Sequence, residues 1–176
     1  FYLGKRVGGK AGGIVGALVL ALTPGQFLTR SIVGFSDHHV AETLFMAMAV
    51  VLVLAALAVA QRDRPIWELF TTGDWDALRP TLLWSTAAGV ATGLYVWVWP
   101  PGVFLAGILG LFFALYLLGT FIRGHSPDHV GIAGAVMMTV TSVMVLLPIN
   151  EFGFSATRFS LAQPFVAGGA ALACVV

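Results

Sequence analysis

The chain has 176 residues, 59% of them hydrophobic and only 10% charged, with a mean hydropathy of +0.94 and a formal net charge of +1. A soluble domain carries about 25% charged residues, so this composition excludes an ordinary soluble protein and predicts an all-α integral membrane protein, a multi-spanning helical bundle. With so little net charge there is no basic block to neutralise phosphates, which excludes a nucleic-acid partner.

A membrane-crossing helix needs roughly 20 mainly apolar residues. In chain order, the segments at about 9–28, 39–60, 81–98, 101–122, 129–148 and 160–176 qualify or nearly do. The first carries Gly9, Gly12, Gly13 and Gly16, a small-residue spacing that suits close helix packing better than a phosphate loop. Pro24 and Gly25 then end or kink it. The chain opens on Phe1-Tyr2-Leu3-Gly4-Lys5-Arg6, without an initiator Met or a signal-peptide organisation. It stops inside an apolar run that includes its single cysteine, Cys174. Both ends read as cut, which predicts a partial transmembrane domain (residues 1–176) from a larger protein. Disulfides contribute nothing.

Lys and Arg placement predicts orientation. If the six segments alternate, Lys5, Arg6, Lys10, Arg62, Arg64, Arg79 and Arg123 share one face, and only Arg30 and Arg158 fall on the other. The first group, with the loops 61–80 and 123–128, is therefore expected in the cytoplasm of a multi-pass cell-membrane protein. Loop 61–80 mixes Trp67, Leu69, Phe70, Trp75 and Leu78 with Asp63, Glu68, Asp74 and Asp76, as a short helix in the membrane interface with a solvated acidic face would. Tyr95, Trp97 and Trp99 before Pro100-Pro101-Gly102 suit an aromatic belt and a sharp outer turn; stacking on a sugar or lipid is the alternative. His125, Asp128 and His129 could imitate a metal site, but Ser126 and Pro127 beside them make a helix start, and capping is the simpler role. In the outer loop, Glu151 and Arg158 could face a ligand or pair with each other. No Walker A, GxSxG, HExxH or CxxC motif is present.

The stretch 30–42 stands apart. Asp37, His38, His39 and Glu42 crowd together between two long apolar runs, with Arg30 just upstream. Ionisable groups beside hydrocarbon are costly and usually functional, and Asp, His and Glu are suitable ligands for Mn, Mg or Zn. Ser36 or Asp37 can cap a helix that runs on through Glu42. On that helix His38 and Glu42 share a face, as do His39 and Glu42. Asp37 and His39 can clamp one cation if Asp37 remains in the loop, leaving open positions for substrate. Arg30 would orient Asp37 or meet a phosphate. The plainer alternative is that Asp37 only caps, His38 sits among headgroups and Arg30 pairs with a carboxylate.

The run 27–42, FLTRSIVGFSDHHVAE, closely resembles a segment of the archaeal oligosaccharyltransferase catalytic subunit. The resemblance implies a GT-C fold, in which a membrane helix bundle precedes a soluble extracytoplasmic domain, here lying beyond residue 176. It implies transfer of a glycan from a dolichol-type lipid phosphate to Asn in Asn-x-Ser/Thr sequons, with Mn2+ or Mg2+ as cofactor. The implied partners are the lipid-linked oligosaccharide, the acceptor polypeptide and membrane lipids. Asp37 and His39 match the family's metal-binding Asp-x-(Asp/Glu/His) motif on the outer face, and Arg30-Ser31 matches its upstream Arg-Ser pair. Asp37 and Arg30 are then catalytic, His38 and Glu42 supporting, and Arg30 and Arg158 candidate contacts for lipid phosphate or acceptor. The isolated chain is expected to be inactive. Two other classes of function compete. One is another GT-C enzyme, an O-mannosyl- or arabinosyltransferase. The other is a metal-ion or proton-coupled transporter, disfavoured because the segment centres offer only Thr86, Thr92, Thr139, Thr141 and Ser142.

Overall fold

The computed structural model describes residues 1–23, 38–60 and 66–175, and their regular structure is helical. The helices are α1 (Tyr2–Leu22), α2 (His39–Ala60), α3 (Ile66–Thr72), α4 (Trp75–Val98), α5 (Val103–Ile122), α6 (Asp128–Leu146) and α7 (Ala162–Ala173), with one 3-10 turn at Pro100–Gly102. Two compact units divide the chain, Phe1–Leu44 and Phe45–Val176.

In the first unit α1 is broken. Gly8 and Gly9 leave helical geometry, and Gly9 adopts φ 62°, ψ −161°, a region open essentially to glycine alone. The chain folds back on itself there, so that a Cβ added at Gly4 would lie 2.5 Å from the Gly12 carbonyl oxygen. Gly13 lies beneath the Phe1 ring in the same way. The glycines therefore do serve close approach, but what approaches is the start of the same helix. Nothing crowds Gly16. The helix stops at Leu22, and Pro24 and Gly25 lie outside the described residues.

Among the described residues, four segments are long and apolar enough to cross a membrane: His39–Ala60, Trp75–Val98, Pro100–Ile122 and Asp128–Leu146. The first has 22 residues, a rise of about 33 Å against a hydrocarbon core of about 30 Å. The sequence predicts six spans. The kink at Gly8 and Gly9 falls at the head of the expected segment 9–28, whose residues 24–28 lie outside the described residues, and the last expected segment differs, because α7 has only 12 residues, about 18 Å. Residues 160 and 161 belong to the loop before α7. α4 starts well ahead of the expected residue 81 because Asp74 caps it, its Oδ1 accepting the Ala77 N–H at 3.2 Å. Pro80 sits inside the helix and does not delimit it.

The core gathers Val53 and Leu57 of α2, Ala88 of α4, Phe113 of α5, and Met137 and Met138 of α6. α4 and α6 approach most closely. A Cβ at Gly89 would meet the Met137 carbonyl oxygen at 2.5 Å, and one at Gly93 would meet the Met144 side chain at 2.8 Å. Van der Waals contact between backbones drives association where lipid removes the hydrophobic effect. Two hydrogen bonds pin the seam: Thr141 Oγ1 donates to Gly89 O at 3.2 Å, and Trp97 Nε1 donates to Met144 O at 3.0 Å. Trp97 thus has a structural partner beyond any interfacial role.

Candidate metal centre

α2 begins where the polar cluster meets the apolar run. The Glu42 N–H closes the first turn on His38 O at 2.9 Å, and Thr43 Oγ1 donates to His39 O at 2.9 Å. That turn brings the side chains at i+3 and i+4 together. His39 Nδ1 lies 3.0 Å from Glu42 Oε2, in hydrogen-bond geometry, and His38 Nε2 lies 3.0 Å from Glu42 Oε1. The two imidazoles lean on each other with centroids 4.5 Å apart. The Glu42 side chain is only 15% exposed, against 47% and 43% for His38 and His39. The positive end of the helix dipole favours its negative charge there.

Among the described residues, Glu42 Oε1 is buried and accepts no hydrogen bond, although His38 Nε2 stands within ion-pair range of it. A buried, bare carboxylate oxygen is costly unless charge is supplied to it. His38, His39 and Glu42 each offer a donor atom, and the three atoms lie within 4.8 Å of one another. Two imidazole nitrogens and a carboxylate oxygen suit Mn2+ or Zn2+ well, and Mg2+, which prefers oxygen, less well. The chemistry of this donor set fits a divalent cation. Arg30 and Asp37 lie outside the described residues, so only the His39 half of the expected Asp-x-His pair has geometry. His38 and Glu42, expected in supporting roles, stand among the candidate donors.

The other polar sites are plainer. At the start of α6, Ser126 Oγ accepts the Asp128 N–H at 3.5 Å and His129 meets the Tyr116 ring edge-on. Among the described residues this turn forms no group of three metal donors. Arg158 donates to Glu151 Oε1 at 2.7 Å, and that carboxylate raises the already high guanidinium pKa. The pair is exposed, so local pairing is the arrangement seen.

One organising residue has no counterpart in the sequence reading. Gln163, 2% exposed, orders the whole loop before α7. Its Oε1 accepts the Ser160 N–H at 2.9 Å, and its Nε2 donates to Arg158 O at 2.7 Å and to Ser155 O at 3.3 Å. Ser160 Oγ completes the network by donating to Ser155 O and accepting from the Ser155 N–H. A lone amide beside Pro164 at the head of an apolar run was the available signal.

Comparison with known proteins matches residues 1–173 to the family "Oligosaccharyl transferase STT3, N-terminal". Over 99% of its length the chain is 49% identical to the dolichyl-monophosphooligosaccharide–protein glycotransferase AglB of Haloferax volcanii, covering 17% of that protein. It is 30% identical to dolichyl-phosphooligosaccharide–protein glycotransferase 3 of Archaeoglobus fulgidus, covering 19% of it. Its structure resembles that of A. fulgidus AglB in complex with an inhibitory peptide and a dolichol-phosphate, with a TM-score of 0.79 and 27% identity over 99% of the chain and 19% of AglB. A crystal structure of the A. fulgidus oligosaccharyltransferase with Zn and sulfate aligns with a TM-score of 0.78 at 28% identity, over 99% of the chain and 21% of that protein. The chain therefore spans about a fifth of the length of these relatives.

Proposed function

This chain belongs to the N-terminal family of the oligosaccharyl transferase STT3, and from that premise we propose that its full-length protein transfers an oligosaccharide from a dolichol-type lipid (pyro)phosphate to Asn of Asn-x-Ser/Thr sequons. The observation that carries the reading is the convergence of His38, His39 and Glu42 at the head of an apolar helix. It falls within the sequence run that resembles the catalytic subunit. The named relatives support it: two are glycotransferases, and one solved relative holds a dolichol-phosphate.

The chemistry that a bound Mn2+ or Mg2+ would supply is positive charge beside the lipid phosphate leaving group. In this reading His39 and Asp37 would hold the cation, and Arg30 would either orient Asp37 or meet the phosphate. Arg158 spends one nitrogen on Glu151. A guanidinium has five N–H donors, so it can also meet lipid phosphate or acceptor. The cluster and segment 150–163 face outward, while segments 61–80 and 123–128 face the cytoplasm. The bundle is a GT-C membrane domain, and the remaining acceptor-binding residues and the soluble domain belong to the rest of the full-length protein. Transport is disfavoured by what the core holds. Its buried polar residues, among those described, are Ser, Thr and Gln, without a buried Asp, Glu, Lys or Arg. Thr92, Thr120 and Thr141 are spent on backbone carbonyls.

The test is glycosylation of a sequon peptide by the full-length protein in membranes, titrated with Mn2+. Asp37→Ala and His39→Ala are expected to lose rate or to need far more Mn2+. If both titrate like wild type, the cluster is not the metal site.

A further inference from the structure

We propose that Glu42 is the positioning residue of this centre: its carboxylate sets the tautomer and the ring orientation of His39, so that the imidazole offers Nε2 to the cation. The inference rests on the metal reading above and assigns Glu42 a separate role within it.

The geometry is local and specific. Glu42 Oε2 stands 3.0 Å from His39 Nδ1. A carboxylate only accepts, and a neutral imidazole carries one N–H. With the ring neutral, the proton shared with Glu42 sits on Nδ1, and Nε2 is the nitrogen whose lone pair can meet a metal. Metal-ligating histidines commonly donate the other ring N–H in this way, which fixes the ring and raises its basicity. The carboxylate is itself held. It projects from the first turn of α2, is 15% exposed, and is flanked by His38 Nε2 at 3.0 Å from its other oxygen. His39 is held as well, since the carbonyl of the same residue takes the Thr43 hydroxyl at 2.9 Å. With both backbones locked on one helical turn, swinging His39 away would break a charge-assisted hydrogen bond. The spacing His-x-x-Glu at the head of a helix is what makes this possible.

The experiment measures Mn2+ binding to the full-length protein in nanodiscs without substrates, from the loss of the free Mn2+ electron paramagnetic resonance signal. Melting curves accompany it. Glu42→Gln keeps the shape but loses the acceptor-only character, so it should weaken Mn2+ binding about tenfold, and Glu42→Ala closer to about a hundredfold. Glu42→Asp should recover part of the loss, because the carboxylate returns. In the glycosylation assay, the Mn2+ concentration for half-maximal rate should rise by the same factor, more than the saturating rate falls. A variant that melts early is set aside for its partner in the Gln and Asp pair.

Wild-type Mn2+ binding by the Glu42 variants, alongside loss in His39→Ala, would overturn the inference and leave the metal reading intact. Abolition of binding in Glu42→Ala as complete as in His39→Ala, without recovery at high Mn2+, would make Glu42 a ligand and overturn the positioning role. Wild-type binding by both Asp37→Ala and His39→Ala would instead remove the metal reading, and this inference with it.

Discussion

The polar assemblies at the starts of α2 and α7 are built on opposite terms. At the start of α2, three ionisable side chains converge and one buried carboxylate oxygen has no hydrogen bond among the described residues. Before α7, the neutral groups Ser155, Ser160 and Gln163 satisfy one another and the loop backbone. A fully satisfied neutral network rigidifies a fold, whereas a buried carboxylate is costly unless charge or hydrogen bonds reach it. The difference separates a structural site from a candidate functional one more sharply than residue type does, since both lie at the head of an apolar helix.

The comparison can be broken most directly at His39. His39→Ala is expected to weaken Mn2+ binding by more than the roughly 10–100-fold that loss of an outer-shell partner costs, while leaving the melting temperature near wild type. A large drop in melting temperature with unchanged Mn2+ binding would make the α2 cluster structural. Gln163→Leu should do the reverse. It orphans the buried Ser160 N–H, which costs about 2 kcal/mol, and should speed hydrogen exchange in residues 153–161 without changing Mn2+ affinity. His38→Ala gives an intermediate case. It removes the imidazole nitrogen 3.0 Å from Glu42 Oε1 but not the His39 bond, so its effect on Mn2+ affinity should stay within about tenfold. An effect as large as that of His39→Ala would make His38 an equal ligand. Smallest of all, Glu151→Gln should leave the melting temperature at physiological salt unchanged, because an exposed ion pair contributes little. A clear fall would show that the pair helps to hold the loop.

Some of this is legible in the residues and some is not, and the dividing line is distance along the chain. The pairing of His38 and His39 with Glu42 follows from helical periodicity alone, because the partners sit on one turn. The apolar runs likewise announce long helices, and 39–60 is a helix with those bounds. The start of α4 is harder to read. Pro80 suggests a boundary, yet a proline in the early turns of a helix sacrifices only one backbone hydrogen bond, and the Asp74 cap six residues earlier prevails. The glycines of α1 suggest packing sites for a neighbour, yet Gly9 at positive φ turns the chain back so that Gly4 meets Gly12.

Composition and local spacing thus determined, by themselves, an all-helical apolar protein with a charged cluster at the head of one helix. Hydropathy and the 3.6-residue period need no knowledge of neighbours. Only the tertiary structure decided that Gly89 and Gly93 form the α4–α6 seam, that Trp97 and Thr141 pin it, and that α7 is short behind a Gln163-ordered loop. Each of those depends on which backbone comes within contact distance, and that is set by packing between segments far apart in the chain.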